Sequence, residues 1–172
     1  MRENNKAGKI CVEDPENYDA RATMMWASSI AHNDLTGLGR GKFLQLHQFE
    51  HVISAVYPEV AHGAGLAALW PAWARYNMPY NKDRWAKFAK NVWGVDCDEA
   101  HPEIGASKAI DMQEDYYRSI GMPVTLRELS PKITEDDLTK FADMVSENGN
   151  RVLDGPKPLD RNDILAIYKE AF

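Results

Sequence analysis

The chain has 172 residues with 20 Lys and Arg against 26 Asp and Glu, for a formal net charge of −6. A chain of this length is read as one domain, residues 1–172, large enough for a hydrophobic core. The acidic balance and the lack of a basic stripe argue against a nucleic-acid partner. No run approaches the ~20 apolar residues that a membrane span needs. The polar start Met1-Arg-Glu-Asn-Asn-Lys6 shows no secretory pattern, and Cys11 and Cys97 are far apart and fit no metal spacing, so a reducing compartment and a cytoplasmic protein are expected.

Taken in chain order, nearly every segment predicts helix. Asp14-Pro15 reads as a helix start. Ala20, Met24, Ala27 and Ala31, with Trp26 and Ile30 beside them, predict one apolar stripe running to about Leu35. Thr36-Gly-Leu-Gly39 stops that helix. A second runs from about Leu44 to Val56 and ends before Pro58. A third starts near His62 and is apolar almost all round, which places it in the middle of a bundle, with a kink or restart at Pro71. Lys82 to Trp93 predicts a fourth, with its lysines as the solvated face, closed by Gly94. Ile104 to Ile120 predicts a fifth, closed by Gly121 and followed by an extended link to Leu126. Thr134, with acids behind it, opens a sixth that Asn148-Gly149 closes. Asp160 or Asn162 caps the last, with Ile164, Ile167 and Tyr168 facing inward. The fold class is all-α, a multi-helix bundle. Trp70, Trp73, Trp85, Trp93, Tyr116 and Tyr117 fall at helical spacings and read as core.

The chain has five histidines, and His47, His51 and His62 fall close together. His47 and His51 are four residues apart and share a helix face. Such clustering suits a metal site or proton handling by imidazoles. The bland alternative is three histidines hydrogen-bonded to backbone. Gly63 and Gly65 weigh against it, because they let backbone approach a ligand or another helix. His32 reads as a polar residue in a last helical turn, and His101 as solvated surface beside Pro102. His47-Gln-Phe-Glu-His51 also matches the inverted zinc-peptidase pattern, in which Glu50 would activate water and a third ligand would come from elsewhere, Glu114 or Glu128 by position. A pattern with three fixed letters carries little weight alone.

The run from His47 to Gly65, continued by Leu66-Ala-Ala-Leu-Trp-Pro-Ala-Trp-Ala-Arg-Tyr76, closely resembles the iron-containing alcohol dehydrogenases, in particular their NAD(P)-dependent butanol dehydrogenase branch. Glu13 to Ala22 and Met25-Trp26-Ala27 look like the same branch, and the likeness extends from about Val12 to the C-terminus. The resemblance implies a C-terminal helical domain with a divalent metal, iron or zinc, in the cleft against a nucleotide-binding domain. It implies His47 and His62 as metal ligands and His51 as a neighbour of the nicotinamide and substrate, a candidate for proton handling. The implied substrates are small alcohols or aldehydes. The turn Tyr57-Pro58-Glu59 looks one residue longer than in many relatives.

Two parts of the family pattern are missing. The family completes its metal site with an upstream aspartate and histidine four residues apart. Here the residues four before His32, His47, His51, His62 and His101 are Ser28, Phe43, His47, Pro58 and Cys97. The glycine-rich phosphate loop is absent as well. The expectation is therefore the C-terminal half of such an enzyme, inactive alone, binding metal weakly and using NAD(P) only with the other half. A homo-oligomer or a partner chain carrying the nucleotide-binding half is expected. A non-catalytic helical remnant or interaction module is the alternative, with the zinc peptidase behind it.

Overall fold

The computed structural model describes residues 1–39 and 43–172. Among them the elements are helices α1 (Arg2–Glu13), α2 (Tyr18–His32), α3 (Gln45–Val56), α4 (His62–Asn77), α5 (Lys82–Phe88), α6 (Pro102–Ser119), α7 (Leu126–Leu129), α8 (Glu135–Val145) and α9 (Arg161–Ala171). The sole extended pairing among these residues is an isolated antiparallel bridge between Leu153 and Leu159. The all-α expectation holds.

Helix α4 lies at the centre and packs against α3, α6, α7 and α9. Its buried positions are mostly small, among them Gly65, Ala67, Ala68, Ala72 and Ala74, so neighbouring helices can come close on several sides. The main core joins Phe49 and Ile53 of α3, Leu69 of α4, Leu126, Phe141 of α8 and Ile164, Ile167 and Tyr168 of α9. Each of these side chains is fully buried, and burial of one such side chain contributes about 1.5–3 kcal/mol. Tyr168 Oη also donates to the Phe49 carbonyl at 2.8 Å, tying the last helix to the one that carries two of the clustered histidines. A second, aromatic layer stacks Trp70 against Trp85, Phe88 and Tyr117, with ring centroids 5.9–6.0 Å apart.

Several element boundaries depart from expectation. The polar N-terminus forms α1, a helix the sequence reading omits, because its apolar positions are few and only Ala7 and Gly8 are buried. Asp14 therefore ends α1 rather than starting α2. The N-cap of α2 is Asn17, whose side chain accepts from the Ala20 N–H at 3.0 Å. Helix α4 runs through Pro71 without stopping, and the chain past Phe88 widens into a π-helical turn (Ala89–Trp93) before Gly94 at φ 70°. The expected link at Leu126 opens a short helix capped by Thr125. Asp160, rather than Asn162, caps α9, accepting from the Asn162 and Asp163 N–H groups at 2.8 and 2.9 Å. The expected apolar stripe of α2 is largely uncovered: of that helix only Ala20 is buried, and Met25 and Trp26 are 69% and 70% exposed.

Candidate metal centre

Gln45, the first residue of α3, fixes where that helix begins. It is buried, donates to the Leu153 and Lys157 carbonyls at 3.3 and 2.8 Å, and accepts from Trp73 Nε1 at 3.2 Å. His47 and His51 follow on one face, a turn apart. The chain then reverses through Tyr57, whose hydroxyl contacts the Lys132 carbonyl and Asp137, and re-enters helix at His62, the first residue of α4.

The reversal brings the three imidazoles together. One candidate ligand atom from each of His47, His51 and His62 lies within 4.8 Å of the others. His62 Nε2 and His47 Nδ1 are 3.2 Å apart. Two nitrogens bound at about 2.0–2.1 Å to one tetrahedral ion sit roughly 3.3 Å apart, so this pair already has the spacing of two ligands. His51 is stacked on His62, with ring centroids 5.4 Å apart at 30°. The cluster opens into a cleft of about 670 Å³, walled on the other side by Ser28, Ser29 and His32 of α2. A larger cavity, about 760 Å³ and lined by Lys6, Lys9, Trp93 and Tyr116, contains none of the histidines.

Burial, then the neighbouring His62, His51 and His32 rings, hold the His47 pKa below its ordinary 6.5, against the opposing pull of Glu50. His47 is thus a neutral imidazole at pH 7, the form that binds metal. A donor set of imidazole nitrogens suits zinc or iron better than magnesium or calcium. The residues present therefore fit a divalent transition metal.

Glu50 takes a different place from the one a peptidase requires. Its side chain is fully buried. One carboxylate oxygen contacts His62 Nδ1, and the other accepts from Ser54 Oγ at 2.5 Å. It stands behind His62 and not over the cleft, so the inverted-peptidase role for Glu50 fails. Its proposed distal partners are also committed elsewhere: Glu114 pairs with Arg75 and Arg118, and Glu128 with Arg118 and the Val124 N–H. His101 is exposed beside Glu103, as expected for solvated surface. His32 ends α2, in the last turn as expected, and it also lines the cleft, with its ring centroid 6.2 Å from that of His47. Ser28 and His32, four apart on α2, both line the cleft that the α3 histidines face, but no local signal in the sequence says that α2 comes there.

A helical bundle that gathers three imidazoles in an open cleft, two of them at the spacing one ion asks of its ligands, is a candidate metal-binding domain. The chain belongs to the Fe-containing alcohol dehydrogenase family, whose C-terminal family model matches residues 4–172. It is 38% identical over 170 residues to the NADH-dependent butanol dehydrogenase A of Clostridium acetobutylicum, covering 97% of this chain and 42% of that protein. It is 32% identical over 158 residues to the probable NADH-dependent butanol dehydrogenase 1 of Bacillus subtilis, covering 92% and 40%. The crystal structure of NADH-dependent butanol dehydrogenase A from Thermotoga maritima superposes with a TM-score of 0.89 at 32% identity, over 99% of this chain and 43% of that one. The chain thus spans about two-fifths of the length of the relatives it matches. The match begins at residue 4, earlier than the sequence resemblance suggested, and so takes in α1.

Proposed function

We propose that residues 1–172 form one helical unit that supplies the metal-binding half of an alcohol dehydrogenase acting on small alcohols or aldehydes of the butanol type. His47 and His62 are the residues that would hold iron or zinc. The observation that carries this reading is the 3.2 Å approach of His62 Nε2 to His47 Nδ1, in an open cleft, with His47 neutral. A divalent metal bound there supplies a Lewis acid that polarises the alcohol or aldehyde oxygen. The hydride chemistry belongs to a nicotinamide cofactor, NADH by the names of the relatives above and either NAD or NADP for this chain, held by a nucleotide-binding half.

This chain's own residues do the rest. His47 and His62 fix the donor geometry. His51, stacked on His62 and exposed at the cleft, is placed to take or give the proton of the substrate oxygen. Leu44 and Ala31 supply apolar wall to the same cleft. With two of the family's ligands lacking, metal binding by this chain alone is weak, since two imidazoles do not hold a divalent ion tightly. The exposed face of α2, with Tyr18, Met25 and Trp26, is where the nucleotide-binding half or a second copy would sit. Among the described residues no helix is long and apolar enough to cross a membrane; a cytoplasmic setting is part of the proposal.

A chimera tests the reading. The chain alone, with added zinc or iron(II), is expected to show no butanol-dependent reduction of NAD or NADP. Fused behind the part of the Clostridium acetobutylicum relative that precedes its matched region, it is expected to turn over, and His62→Ala is expected to abolish that turnover. Clear turnover by the chain alone, or a chimera indifferent to His62→Ala, would overturn the proposal.

A further inference from the structure

We propose that Glu50 is a positioning residue: its buried carboxylate locks His62 in the Nδ1–H tautomer and turns Nε2 toward His47. The inference rests on the reading of His62 as a metal ligand, and it makes a claim about the metal-free chain as well.

Four observations support it. His62 Nδ1 contacts Glu50 Oε2, and an ionised carboxylate can only accept, so the proton sits on Nδ1. That leaves Nε2 with its lone pair, and this is the atom that faces His47 Nδ1 at 3.2 Å. Glu50 itself cannot swing away: it is 0% exposed, and Ser54 Oγ holds its second oxygen at 2.5 Å from one turn later on α3. Finally, α4 is shaped to admit it. A Cβ at Gly65 would lie 2.7 Å from Glu50 Cγ and 2.9 Å from Oε1, so the carboxylate reaches His62 because position 65 has no side chain.

The chemistry gives the arrangement a use. A neutral imidazole has one donor and one acceptor nitrogen, and free in water it exchanges between tautomers. Fixing the proton on Nδ1 commits Nε2 to the ligand role. Partners of this kind are worth about 10–100-fold in metal affinity. Glu50 comes from α3 and His62 from α4, so the contact also sets the two helices in the register that pairs His47 with His62.

Two readouts test the proposal. The first is the tautomer of His62 in the metal-free chain at pH 8, read from long-range ¹⁵N–¹H correlations of the labelled imidazoles. The expected result is Nδ1–H in the native chain, a mixture in Glu50→Met, which keeps the buried volume and removes the acceptor, and Nδ1–H again in Glu50→Gln, whose amide oxygen can accept. The second is zinc affinity by calorimetry, expected to fall about 10–100-fold in Glu50→Met and to recover most of that in Glu50→Gln. A native chain with His62 as Nε2–H overturns the proposal, whatever the variants do. So does a tautomer unchanged in folded Glu50→Met. A locked tautomer lost in Glu50→Met, in a chain whose native form takes up no zinc, upholds the positioning role while refuting the metal reading on which its use depends.

Discussion

Gly65 and Glu50 are in direct opposition across the α3–α4 contact: any side chain at 65 would enter the space that the Glu50 carboxylate occupies, with its Cβ 2.7 Å from Glu50 Cγ. Gly65→Ala is therefore expected to push Glu50 off His62. Overpacking of this kind costs about 1–3 kcal/mol. Thermal melts should show that loss, and zinc calorimetry a weaker site. Gly63, two residues earlier, has open space where a Cβ would be, and Gly63→Ala is expected to leave both readouts close to native.

Gln45 ties the start of α3 to the turn before α9 through two hydrogen bonds and to Trp73 of α4 through a third. Gln45→Ala removes all three and leaves the Trp73 N–H and two carbonyls to find other partners. An unsatisfied buried polar group costs about 1–3 kcal/mol. Chemical denaturation is expected to show a loss of that order, with the circular dichroism of the folded state retained.

Asp163 carries an acid-sensitive part of the stability. Burial pushes its pKa up, but hydrogen bonds from Lys157, from Tyr76 Oη at 2.5 Å and from the Asp160 N–H outweigh this and hold it below the ordinary 3.8. A carboxylate with a depressed folded pKa contributes stability that is full above its unfolded value and fades as pH falls through the folded one. Asp163→Asn is thus expected to destabilise the chain at pH 7, by about 1–3 kcal/mol for bonds to a charged group. That difference should shrink below about pH 4. Paired urea melts at pH 7 and pH 3 measure it, and an equal deficit at both would refute the charge-based account.

The uncovered face of α2 is expected to seek a partner. Tyr18, Met25 and Trp26 are 80%, 69% and 70% exposed. Light scattering of the purified chain should give a dimer or larger species, shifted toward monomer by Met25→Glu with Trp26→Glu. A monodisperse native monomer would contradict this.

Much of the fold is legible in the sequence because helix period and stop signals are local. Gly94 and Gly121 close their segments with left-handed backbone, and Ile164, Ile167 and Tyr168 face inward as their spacing requires. The failures are of two kinds. Helix α1 and the exposure of Trp26 escape a pattern argument because both depend on what packs against a surface, which periodicity does not encode. At the site, the spacing of His47, His51 and His62 was enough to bring them together on paper. The contribution of His32 was not readable, since it arrives from another helix. The place of Glu50 is not readable for a related reason: the H-x-x-E-H spacing fixes its position on α3, while its partner His62 is set by how α4 packs. The resemblance carries the family.

The most direct measurement is zinc calorimetry on the native chain beside His47→Ala and His62→Ala at pH 7.5, where His47 is neutral. One weak site is expected in the native chain, with affinity falling at least about tenfold in each variant as one of two ligands is lost. Zinc binding that is indifferent to both substitutions, or lost on His51→Ala alone, would contradict the assignment of His47 and His62 as the ligand pair.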